Sequence, residues 1–319
     1  MFDPINDLVV VIRSAGERTT VACKELVLQQ VPQHQVHLVR EFPFEAALRR
    51  CYEIGIESSA KWMMTLDADV LLKEGAVRSF LEEAEKLSEQ YFQVEGLLHD
   101  KLSCQYRKVG HRMYRTQYLE KAIQCLPMPR EAIRPEFTTL QRMEQLGYLS
   151  KEITIVFGVH DYEQFLNDIY RKAFVHAQKH SGWVPRLIEQ WRELAERDND
   201  YKIALRGLYD GLMTSSRASI DKRDFTDLAK VALQDLGLSE KPELTIEMDN
   251  YTYVVQAAIM KASLLSETRF SLSSNSEKSG WRQRLAAKYA QLGPLKLGLY
   301  SLGVAFSRIG YLLKREAQV

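Results

Sequence analysis

The sequence predicts an α/β fold, on two observations. The first is a Val-rich apolar run from Leu8 to Ile12, the mark of a strand buried on both faces. The second is the regular alternation that follows, in which short apolar runs and amphipathic stretches succeed one another in βαβ order. Thr19 to Gln30 has helical spacing, Val36 to Val39 is a second strand, and Phe44 to Ser58 is helical again. Trp62 to Leu66 is a third strand that runs into Asp67, and Glu74 to Gln90 is a charged amphipathic helix. Phe92 to Leu98 reads as a fourth strand, with a short fifth near Met113 and Tyr114 and a helix over Gln117 to Cys125. Thr138 to Leu146 is helical, Gly147 ends it, and Ile153 to Val159 is a further apolar strand. From residue 161 to 240 the chain reads as mostly helix, and residues 251 to 265 as one more apolar helix.

The chain has 319 residues, 43 Lys or Arg and 42 Asp or Glu, and this balance gives no reason to expect a nucleic-acid partner. The balance hides a split. Residues 281–319 carry a charge of +6 and residues 1–280 a charge of −5. Four scattered cysteines, without CxxC spacing, read as free thiols of a reduced, cytoplasmic chain. The N-terminal run is too short for a signal peptide, and no stretch reaches the ~18 apolar residues of a membrane span. These features divide the chain into residues 1–180, a helical extension over 181–268, a Ser-rich linker over 269–280 and a basic amphipathic tail over 281–319. The tail suits an interfacial helix on an anionic membrane surface, and equally a helix packed on the body or on a second subunit of a homodimer.

The chemistry centres on Thr65-Leu66-Asp67-Ala68-Asp69-Val70. Ligands of open α/β sheets sit at the carboxyl ends of the strands. Two carboxylates on a turn there can hold Mg²⁺ or Mn²⁺, which favour oxygen donors and can neutralise a leaving diphosphate. The plainer reading is that the two acids only shape the turn.

The segment from Leu8 to Asp69 resembles the nucleotide-binding half of a GT-A glycosyltransferase, most like family 2. Ile54-Gly55-Ile56 followed by Trp62 to Asp69 matches that layout. So does Pro135 to Tyr148, in which Glu136 stands where the family has its catalytic Asp and Arg142, Gly147 and Tyr148 coincide with the family pattern. A strand and His160-Asp161 follow, as in the family. The resemblance implies a GT-A fold, a Rossmann-like mixed sheet flanked by helices, with a C-terminal helical extension. It implies a metal-dependent, inverting hexosyltransferase that takes a nucleotide-diphosphate sugar to a hydroxyl of a cell-surface glycan or lipid-linked acceptor. It places Arg13, Ser14, Glu17, Arg18, Glu41, Asp67, Ala68, Asp69, His111 and Arg112 at the nucleotide sugar. Glu136 would be the base, and Asp69, Asp67 and His160 would hold the metal. For Glu136 the alternative is a charge favouring the following helix dipole. A nucleotidyltransferase and a non-catalytic, membrane-associated scaffold are the rival readings, and the loop Arg13 to Thr19 lacks the Gly-rich, Lys-containing pattern of the first.

Overall fold

The computed structural model describes residues 7–132, 134–214, 222–244, 252–253 and 255–260, all within one compact unit, Met1–Ala262. The Ser-rich linker and the basic tail lie outside the described residues. Of the helix expected over 251–265, the described residues are helical.

The sheet is mixed, as the predicted fold class requires. β1 (Leu8–Arg13), β2 (Val36–Val39) and β3 (Trp62–Asp67) are parallel neighbours, with β1 in the middle. All six residues of β1 are buried, which is why its sequence is a continuous apolar run rather than an alternating one. Side chains of a strand point alternately to opposite faces, and the core divides accordingly. Leu8, Val10 and Ile12 face one cluster with Trp62, Met64 and Leu66. Val9 and Val11 face another with Met63. The first cluster is covered by α1 (Thr20–Leu28) and α3 (Ala76–Glu85), the second by α2 (Phe44–Glu57), α4 (Leu119–Gln124) and α5 (Pro135–Gln145).

Beyond β3 the order continues through β7 (His111–Arg115), β5 (Tyr91–Asp100), β8 (Leu149–His160) and β4 (Val70–Leu72), with β6 (Gln105–Arg107) paired to β5. β7 runs antiparallel to both β3 and β5, while β5 and β8 are parallel. Strands β1, β3, β5 and β8 therefore share one direction, and their carboxyl ends deliver Arg13, Asp67, Asp100 and His160 to one edge of the sheet.

The sequence reading missed β4 and β6. Each has three residues, too few for a periodic signal, and each exists because β8 or β5 offers it an edge. The helix expected over Glu74 to Gln90 is shorter, Ala76–Glu85; it starts late because Lys73 N–H donates to Phe157 of β8 and Gly75 adopts a left-handed φ of +70°.

α7 (Val184–Ala195), α8 (Asn199–Met213) and α9 (Thr226–Asp235) lie in the expected helical extension, and they share one core with Leu102 and with α6 (Leu166–Lys179), which precedes the boundary expected at residue 180. α8 starts at an aspartate cap, where the Asp198 side chain accepts from the Asp200 N–H at 2.9 Å. Trp191 of α7 donates from Nε1 to the Leu102 carbonyl in the turn after β5. α8 lies against α6 through Gly207 and Gly211. A Cβ on Gly207 would sit 2.3 Å from the Tyr170 carbonyl oxygen, and one on Gly211 2.4 Å from that of Phe174. Only a residue without a side chain allows two backbones this close.

Among the described residues no helix is long and apolar enough to cross a membrane. All four cysteines are free thiols.

Candidate active site

At the carboxyl edge the β3–β4 turn presents Asp67 and Asp69 on either side of Ala68, whose side chain is fully buried. β4 pairs with the end of β8, with Val70 opposite His160, and the Asp161 N–H donates to the Asp69 carbonyl at 3.2 Å. This pairing sets Asp69 beside His160 and Asp161. Consecutive strand residues point to opposite faces. Asp161 leaves the strand with a left-handed φ of +64°, and its carboxylate comes to 3.2 Å from His160 Nδ1.

Asp69, His160 and Asp161 are all buried, and one ligand atom from each lies within 4.8 Å of the others. Asp69 Oδ1 has no hydrogen-bond donor and sits 3.4 Å from His160 Nε2. A buried carboxylate oxygen without a donor, next to an imidazole nitrogen and a second carboxylate, is a donor set that fits Mn²⁺ or Mg²⁺. The sequence named Asp69 and His160 for this role, but its third member was Asp67. The structure groups Asp161 with Asp69 and His160. Asp67 stands at the rim, because Arg13 takes its Oδ1 through Nε at 2.9 Å and Nη2 at 2.8 Å. Gly110 closes the wall between rim and centre. With φ +69°, its missing Cβ would lie 2.7 Å from Val70 Cγ2 and 3.3 Å from His160 Cδ2.

Three residues of this centre escaped the sequence reading. Asp161 was noted there only as the neighbour of His160. Asp100, at the end of β5, is paired in register with His160 and takes its Nδ1 at 2.9 Å. It also accepts from Ser103 N–H at 2.6 Å and pairs with Arg107 at 3.1 Å. Burial opposes its charge, but the His160 hydrogen bond, Arg107 and Ser103 hold its carboxyl far below the usual range. A histidine whose Nδ1–H is held by a carboxylate directs Nε2 at a ligand. Burial also opposes charge on His160, yet Asp161 and Asp69 outweigh it and raise its pKa to about 10. Coordination through Nε2 would therefore release a proton. Lys172, from α6, is the third. Its ammonium bonds both Asp69 Oδ2 and Asp161 Oδ1.

Glu136 lies deeper, in the first turn of α5. Its Oε1 accepts from Arg13 Nη1 at 2.9 Å and from the Tyr114 hydroxyl at 2.8 Å, and its Oε2 accepts from Arg112 Nη1. Burial would raise its pKa, but Arg112 and Arg13 hold it down at about 2. The sequence reading made Glu136 the base. A general base works best with a pKa near working pH, whereas both Glu136 oxygens already accept from Arg13, Tyr114 and Arg112 and its pKa is held low. It is the counter-ion of two arginines. Arg112 also meets Glu95 at 3.2 Å.

The remaining nucleotide-site expectations divide. Ser14 and Glu17 close a turn on themselves, with Ser14 Oγ donating to Glu17 Oε2 at 2.9 Å and the Ala15 N–H to the same oxygen at 2.8 Å. Arg18 turns away to Glu163 Oε2 at 2.9 Å and the Pro242 carbonyl at 2.7 Å. Neither Arg13 nor Arg18 is therefore held out toward a diphosphate. Glu41 is exposed in the loop after β2. His111 is a core residue, which corrects its assignment to the nucleotide sugar. It packs against Phe80 and Phe157, and Nε2 accepts from the Gly96 N–H at 3.2 Å while Nδ1 meets the Val109 carbonyl at 2.9 Å. Arg142 and Tyr148 of the second motif hold the end of α5, Arg142 on Glu131 and the Cys125 carbonyl, Tyr148 against the Tyr118 ring.

No protein-family model matches the chain, and no curated protein matches it. Solved structures do. A mannosyltransferase from Pyrobaculum calidifontis, solved with GDP-mannose and Mn²⁺, is 11% identical, with 83% of this chain and 87% of that chain covered at a TM-score of 0.38. A glycosyltransferase involved in glycosylation of the major capsid of PBCV-1 is 16% identical, covering 47% and 82% at 0.34. A CMP:2-keto-3-deoxy-manno-octonic acid synthetase with CTP is 13% identical, covering 48% and 92% at 0.35. The neighbours thus include both glycosyltransferases and nucleotidyltransferases. Likenesses this distant carry no residue role over to this chain, and the roles rest on its own geometry.

Proposed function

We propose that this chain is a metal-assisted, inverting glycosyltransferase, resembling family 2, that moves a sugar from a nucleotide diphosphate to a hydroxyl. One observation carries the reading: the buried Asp69–His160–Asp161 group at the carboxyl edge of the sheet, with His160 oriented by Asp100. Asp69, His160 and Asp161 would hold Mn²⁺ or Mg²⁺. Bound there, the cation supplies positive charge for the leaving diphosphate. Asp67, at the rim, is the carboxylate placed to meet the ribose or the diphosphate-bound cation. The Arg13–Glu136–Arg112 network, paired outward to Asp67 and Glu95, would keep the floor of the site rigid. A cell-surface glycan or lipid-linked acceptor belongs to the same proposal, with the basic tail as the segment that would meet an anionic membrane.

The test is a thermal-shift panel of UDP, GDP, CDP and dTDP and of the corresponding triphosphates, each with and without Mn²⁺, on the full chain and on Asp69→Ala. A metal-dependent shift with one nucleotide, lost in Asp69→Ala, supports the reading. A shift with nucleoside triphosphates but none with diphosphates would favour a nucleotidyltransferase. No shift with any nucleotide would sink both.

A further inference from the structure

The proposed cation site already contains a cation. Lys172 reaches it from α6, a helix whose distance from α8 is set by backbone contact at Gly207 and Gly211. The Lys172 side chain is 15% exposed, and the two carboxylates it bonds are 9% and 4% exposed. Each acid divides its oxygens the same way. One faces Lys172, and the other faces the His160 ring, Asp69 at 3.4 Å from Nε2 and Asp161 at 3.2 Å from Nδ1. A divalent ion taking Asp69 and Asp161 as ligands must therefore compete with the ammonium for the same two residues. Buried charge without compensation is costly, so ammonium and metal cannot both stay without a further anion.

We propose that Lys172 determines the binding specificity of this centre: its ammonium holds the cation place between Asp69 and Asp161 in the free protein and yields it to a divalent ion when a diphosphate arrives to receive the ammonium. This rests on the nucleotide-diphosphate reading above. Free metal meets an occupied site, whereas metal with a diphosphate brings the anion that the displaced lysine needs. By linkage each ligand then strengthens the other by the same factor. Lys172 would also leave its carboxylates beside the reacting diphosphate, so that one residue closes the site to bare ions and contributes charge once substrate is bound.

The experiment measures Mn²⁺ binding to the full chain by electron paramagnetic resonance, with and without an equimolar mixture of UDP, GDP, CDP and dTDP, corrected for chelation by the nucleotides. Three proteins are compared: wild type, Lys172→Met and Lys172→Arg. Without nucleotide, Lys172→Met is expected to bind Mn²⁺ about tenfold or more tightly than wild type, and Lys172→Arg, which keeps the charge, to stay weak. The mixture should tighten Mn²⁺ binding to wild type by about the same factor and do little for Lys172→Met. Equal Mn²⁺ affinity of wild type and Lys172→Met, with nucleotide still bound, would overturn the role of Lys172 and leave the proposed function standing. No nucleotide binding by any of the three would overturn both. Should Lys172→Met require metal to fold, the rise of its melting temperature with Mn²⁺ takes the place of the affinity. A rise larger than that of Lys172→Arg supports exchange, and an equal rise overturns it.

Discussion

His160 Nδ1 and Asp100 Oδ2 lie 2.9 Å apart, and the parallel register of β5 and β8 sets these two residues opposite each other. The aspartate thereby fixes which imidazole nitrogen faces Asp69. Replacing Asp100 by Asn keeps the shape but removes the charge that holds Nδ1–H. Loss of such an outer partner weakens metal binding by about 10–100-fold, and that is the expected drop in Mn²⁺ affinity for Asp100→Asn. Calorimetric titration checks it, and an unchanged affinity would remove His160 from the ligand set.

Glu136→Gln separates a counter-ion from a base. If the carboxylate holds Arg13 and Arg112, its neutralisation leaves two buried guanidiniums leaning on Asp67 and Glu95 alone. Breaking a buried pair of this kind costs about 3 kcal/mol, so a clear fall in melting temperature is expected. A catalytic base would instead give a variant of wild-type stability whose turnover of nucleotide sugar falls by a factor of about 10² or more.

Glu136 also sets an acid limit. Its pKa drops from an ordinary 4.5 to about 2 on folding. The folded state therefore holds this proton less tightly than the unfolded state. The stabilisation is complete above pH 4.5 and is lost as pH falls toward 2. By linkage it amounts to about 3 kcal/mol. Urea unfolding between pH 5 and 2 should show this loss in wild type and a flatter profile in Glu136→Gln.

Gly207→Ala tests the contact that positions α6. Its methyl would enter the Tyr170 carbonyl, and α8 must shift or the helix must bend. Overpacking of this sort costs about 1–3 kcal/mol. The variant should melt earlier than wild type, and Mn²⁺ should bind it more tightly, because Lys172 is then held less firmly against its two carboxylates.

Much of the site was legible in the sequence, and the boundary falls where local signals stop. Asp69 and His160 stand at the ends of apolar runs, so their place at a sheet edge followed from the runs alone. Glu136 was found by its motif, but a motif does not say that two arginines and a tyrosine converge on both oxygens. His111 was misread for a similar reason. Its place in the family resemblance pointed to the nucleotide sugar, whereas its ring is satisfied by two backbone groups in the core.

By itself the sequence determined the βαβ order, the burial of β1 and the direction in which Asp67 and Asp69 leave the sheet, since these depend on patterns within a few residues. Only the tertiary structure decided that Asp100 serves His160 across 60 residues and that Lys172 meets Asp69 across 103. Those contacts depend on strand register and on the close seating of one helix on another, and both are settled by packing between segments far apart in the chain.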